Sequence, residues 1–97
     1  MPKDVHVYIP TDLRRSGSLA DDAKIGRLLP GHVDAYGQCL GDYYAEQGAH
    51  NSWWVLVWTK DYGFGWISAV AIDIGDQDAP IPGVKTGPVI WDGSQFY

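Results

Sequence analysis

What this sequence has little of narrows it first. It holds one cysteine, Cys39, in 97 residues, which excludes an intramolecular disulfide and any zinc site built from several thiolates. No apolar run reaches the ~18 residues of a membrane-spanning helix, and the N-terminus MPKDVHVYIP lacks the charged-then-apolar order of a signal peptide. The expectation is a chain without membrane association, cytoplasmic or virion-associated. A fragment of a larger secreted protein would read the same way. Positive charge is also scarce: seven Lys+Arg stand against twelve Asp+Glu, a net charge of −5. Nucleic-acid binding rests largely on cations that neutralise phosphates, so no nucleic-acid partner is expected.

Catalytic signatures are missing as well. The sequence contains no phosphate-binding loop, dinucleotide-binding glycines, nucleophile elbow or zinc-ligand spacing. His6, His32 and His50 fall on separate elements and read as surface histidines. The acidic run Asp73 to Asp78 lacks calcium-loop spacing and reads as a solvated turn. Cys39 lies in an alternating run and reads as a small buried hydrophobe. The chain is therefore expected to be no enzyme and to need no metal or cofactor.

What it has in plenty is glycine, 12 residues, and aromatic rings, 13% of the chain. Together they favour short strands and tight turns, with Trp and Tyr enlarging a small core. The stretch Ser52 to Ile72 organises the rest. Trp53 to Thr59 is too β-branched and aromatic to favour a helix, Lys60-Asp61-Tyr62-Gly63 interrupts it, and Gly65 to Ser68 resumes it, which predicts a β-hairpin. Alternation puts Trp53, Val55 and Val57 on one face and Trp54, Leu56 and Trp58 on the other, so this strand should lie between two layers or offer an apolar face to a ligand.

Elsewhere, Val5, Val7 and Ile9 alternate as a half-buried strand, and Asp12 to Asp22 reads as a loop anchored by Leu13. Lys24 to Leu29 favours a short strand before the Pro30-Gly31 turn, and His32 to Leu40 alternates again. Gly41 to Asn51 reads as a polar loop at a hairpin tip. After Ile72 periodicity stops, leaving Val89-Ile90-Trp91 as the one apolar cluster. The predicted fold is all-β: a small barrel of about five to six strands over residues 1–75, with an irregular C-terminal extension, 76–97, that packs on the barrel or on a partner.

The order of four motifs, Leu13-Arg14-Arg15-Ser16-Gly17-Ser18, Ile25-Gly26-Arg27-Leu28-Leu29-Pro30-Gly31, the Trp-rich strand and Gly65-Trp66-Ile67-Ser68-Ala69, resembles the bacterial SH3-like (SH3b) family. The resemblance covers about residues 5–72. It implies an SH3-like barrel and a non-catalytic binding role toward a protein or a cell-wall (peptidoglycan) peptide. Ser18 stands where the family carries proline, and Ala71 where an aromatic helps line a peptide groove, which argues away from a proline-rich ligand.

Eight of the thirteen rings lie between Tyr43 and Trp66. Trp54, Leu56 and Ile67 are assigned to the core. Tyr43, Tyr44, Trp53, Tyr62, Phe64 and Trp66, with the carboxylates Asp42, Glu46 and Asp61, form the expected ligand-binding surface, suited to a peptide carrying ammonium groups. The alternative is a small structural or accessory subunit of a bacterial or phage assembly, docking and oligomerising through the C-terminal tail.

Overall fold

Alternating aliphatic residues form the outermost strand, β1 (Lys3–Val7), and β2 (Thr11–Arg14) and β3 (Lys24–Leu28) make a first hairpin, joined through a 3-10 turn at Asp21–Ala23. The long strands β4 (Gly31–Glu46) and β5 (Ala49–Thr59) and the shorter β6 (Gly63–Ser68) then run as a meander. The computed structural model describes residues 2–46, 48–73 and 78–96. All six strands belong to one antiparallel sheet in the order β1-β4-β5-β6-β2-β3.

After β6 a 3-10 turn, Ala69–Ala71, is capped by the Ser68 hydroxyl, which accepts from the Val70 N–H. It carries the chain back to the far edge. There Ile72 bridges Val7, with Tyr8 N–H donating to Ala71 O (2.9 Å) and Asp73 N–H to His6 O (3.1 Å). The fold is thus all-β, but the expected small barrel does not close, because β1 and β3 do not pair and the sheet remains open: β1 is covered by this return segment, and β3 forms the other edge. Among the described residues no helix is long and apolar enough to cross a membrane.

β5 lies between two layers, as its two apolar faces require. Val55 and Val57 join Val5, Val7, Leu13, Ile67, Val70 and Ile72 in the main core. Trp54 and Leu56 face the other way, with Cys39 and Trp66, and Tyr36, Trp91 and Phe96 pack over them. The tail supplies both coverings. Ile81 and Val84 enter the main core, and Trp91 and Phe96 roof the second layer. The Cα radius of gyration, 11.5 Å, does not exceed the ~12.5 Å of a compact domain this long, which fits a folded-in tail.

Two local expectations change. Gly41 to Asn51 is mostly strand rather than loop: β4 runs on to Glu46 and β5 starts at Ala49, with the register shifting between Leu40 and Tyr44. Cross-strand hydrogen bonding satisfies this polar backbone, and a register shift lets exposed polar side chains ride on a twisted hairpin. Within Asp12 to Asp22, Asp12 to Arg14 belong to β2, because β3 gives them a partner that local composition does not announce.

Candidate functional site

A cleft of about 580 Å³ opens at the end of the sheet where the β3–β4 and β5–β6 turns meet. Its floor is Leu28 and Val33, half-buried against the main core. Its walls are the exposed apolar side chains Leu29, Trp58 and Tyr62, with relative exposures of 69%, 45% and 47%. Arg27, Lys60, Asp34, Asp61 and His32 complete the lining.

Each wall has a local cause. Leu29 precedes Pro30, which disfavours helical backbone and keeps the residue extended. The β5–β6 turn is clamped by Thr59, whose hydroxyl donates to Gly63 O (3.0 Å) and accepts from the Tyr62 N–H (3.0 Å). Gly63 provides the left-handed conformation, φ +74°, that the turn demands. The clamped turn lays the Tyr62 ring across Gly26, where a Cβ would stand 2.6 Å from the ring, so only glycine admits this approach. Trp58 lies between Asp34 of β4 and Phe64 of β6 in register.

The β2–β3 hairpin behind the cleft is tied by one carboxylate. Asp12 meets Arg27 at 2.9 Å, Lys24 at 3.3 Å and Arg14 at 3.4 Å. Burial pushes its carboxyl up, but hydrogen bonds and charge from Lys24, Arg27 and Arg14 outweigh it and hold the group below its usual 3.8. A depressed folded-state value favours the ionised form, so this stabilisation is full above pH 4 and disappears as pH falls through the lowered value. Asp12→Asn should cost about 1 kcal/mol at pH 7 and flatten the fall in urea midpoint as pH drops below the ordinary carboxylate value. An unchanged acid profile would contradict the arrangement.

The nine residues expected to form one surface divide among three places. Asp61 and Tyr62 line the cleft, and Phe64 sits beside it, exposed, edge-on to Tyr36 at 5.1 Å. Asp42, Tyr43, Tyr44, Glu46 and Trp53 lie toward the other end of the meander. Tyr43 is exposed and near His50 (5.9 Å). The Tyr44 hydroxyl donates to Glu46 (2.8 Å), and burial followed by that carboxylate pushes the phenol up from its ordinary value. The Asp42 carboxylate accepts from the Leu19 N–H (2.9 Å), and Trp53 is half-buried against the main core. Trp66 is no surface residue at all. It is 1% exposed, and its indole N–H donates to Trp91 O (2.7 Å), because the tail covers the face that a sheet alone would leave open.

Sequence reasoning missed Leu29, Trp58, Arg27 and His32. The alternation sets Trp58 on the face of Trp54 and Leu56, and nothing local marks its meeting with Leu29, since β3 and β5 are not paired neighbours. It also missed that His6 and His32 are cross-strand partners. Their rings stack at 5.0 Å, and each Nδ1 contacts a carboxylate, Asp73 (3.2 Å) and Asp4 (2.8 Å) respectively. Among the described residues no group of three or more His, Cys, Asp or Glu is placed to hold a metal ion. Within the acidic run 73–78, positions 74–77 lie outside the described residues. Cys39 is buried, its thiol pushed up by burial, donating to Pro88 O (3.1 Å) and accepting from Gln95 (3.0 Å). No protein-family model, curated protein or solved structure matches the chain.

Proposed function

We propose that this protein is a non-catalytic SH3b-type binding module that recognises a peptide or protein segment through the cleft between the β3–β4 and β5–β6 turns. The observation that carries the reading is the convergence of three large exposed side chains over an apolar floor, Leu29 and Tyr62 from turns fixed by Pro30, Thr59 and Gly26, and Trp58 from the end of β5. Rings and aliphatic groups on a rigid scaffold bury much area at small entropic cost, which is how a small surface gains affinity. The balanced rim of Arg27, Lys60, Asp34 and Asp61 suits a peptide backbone with polar side chains. The Thr59 hydroxyl is committed to the turn, leaving it unsuited to nucleophilic attack.

Titration of Trp58 fluorescence with peptidoglycan stem peptides and with linear peptides tests the reading. Saturable binding, followed for the variants by isothermal titration calorimetry, that weakens at least tenfold in Leu29→Asp and Trp58→Ala, both expected to fold normally, supports the cleft. Binding by these variants at wild-type strength would refute it. The tail-docking subunit is less well supported, since Ile81, Val84, Trp91 and Phe96 are already spent on the chain's own sheet.

A further inference from the structure

We propose that the cleft's ligand enters as an acidic, extended segment that adds to the sheet along the free edge of β3; this rests on the binding-module reading and specifies the partner. Three observations converge on that edge. β3 ends the strand order, and among the described residues nothing pairs with its outer side, whereas the opposite edge strand, β1, is covered at Val7 by Ile72. An unpaired row of alternating N–H and C=O groups is a template for another strand. The same strand runs straight into the cleft, since Arg27, Leu28 and the following Leu29 all line it. A segment paired to β3 would therefore deliver its side chains beside Leu29 and Tyr62.

Charge selects the segment. Thr11 to Leu28 carries four of the seven cations and three of the twelve acidic residues, so this hairpin is +1 in a protein of net −5, and the remainder is −6. At β3 the imbalance is local. Lys24, Arg27 and Arg14 share the single carboxylate of Asp12, and the Lys24 and Arg27 side chains are more than half exposed. Ile25, also exposed, adds an aliphatic contact on the strand itself. Lys24 and Arg27 are three residues apart, but the register shift opposite Leu13 and Arg14 lets both reach Asp12, so a segment alternating acidic and aliphatic residues sets its carboxylates against this pair, its apolar side chains toward the cleft, and backbone against backbone. A basic segment would meet like charge at the edge.

The test uses the full chain and two end-blocked hexapeptides, Glu-Val-Glu-Val-Glu-Leu and its lysine counterpart, followed by Trp58 fluorescence and by amide hydrogen exchange of Lys24–Leu28. The acidic peptide is expected to bind at least tenfold more tightly than the basic one and to slow exchange at alternate β3 amides. It should lose affinity at least tenfold in Lys24→Glu/Arg27→Glu, or when its own alternate amides are N-methylated, a change that leaves the protein's fold untouched. Peptide binding at Trp58 that is indifferent to charge, to N-methylation and to β3 exchange overturns strand addition while leaving the binding module standing. Absence of any response at Trp58 or β3 to either peptide overturns strand addition, and the stem-peptide titration then decides the module separately.

Discussion

Trp66→Ala should lower the free energy of unfolding by about 3–5 kcal/mol, the range for removing a large buried ring. The indole is held on all sides. Leu56 lies opposite in register, Trp91 meets it edge-on at 5.0 Å, Phe96 lies 6.3 Å away, and the Trp91 carbonyl accepts its N–H. Alanine would leave a cavity between sheet and tail and strand that carbonyl. Small domains have only about 5–15 kcal/mol in total, so the variant should show a greatly lowered urea midpoint. Trp58→Ala, which removes a half-exposed ring, should shift stability by less than about 1 kcal/mol while removing cleft binding. A Trp66 variant that unfolds like wild type would mean that the tail does not roof this face.

That contrast marks what the chain discloses locally. Apolar residues on both faces of Trp53 to Thr59 already require two layers, and the Pro30-Gly31 and Lys60 to Gly63 turns already break the strands where they end. Of the second covering only the Val89-Ile90-Trp91 cluster is legible, because Ile81, Val84 and Phe96 are isolated apolar residues in segments rich in Gly and Pro, with no period to announce burial. Their positions are set by partners distant in sequence, 43 and 46 residues away for Ile81 and Val84 on Gln38 and 25 for Trp91 on Trp66, beyond any local window. The grouping of aromatic residues in sequence misleads for a geometric reason. β5 runs for 11 residues, with Tyr44 paired beside its start and Phe64 paired beside its end, so these rings fall at opposite ends of the meander. The cleft instead gathers Leu29, just after β3, and Trp58, near the end of β5, from elements that are not neighbours in the sheet.

The tail's hold on the sheet depends most on Gln38, a residue whose polar side chain is fully buried. Its amide nitrogen donates to Ile81 O and Val84 O, both at 2.9 Å, and its carbonyl oxygen accepts from the Ile81 N–H at 2.7 Å. Its backbone N–H donates to Lys85 O (2.8 Å) and its backbone carbonyl accepts from Gly87 N–H (3.1 Å). Gln38→Leu keeps the volume and the two backbone bonds but strands two carbonyls and one N–H. Each stranded buried group costs about 1–3 kcal/mol, so a loss of roughly 3–9 kcal/mol is expected unless the segment peels away. In that case the Ile81 and Gly87 amides should exchange freely while amides of β4 and β5 stay protected. Gln38→Glu discriminates further, since both carbonyl acceptors demand a donor and a carboxylate offers none. Its folded-state pKa must rise, so its stability should be greatest below about pH 4 and fall as pH climbs from the unfolded value through the raised one, the reverse of the Asp12 effect. Equal protection of Ile81 in wild type and Gln38→Leu would show that apolar burial alone secures the tail.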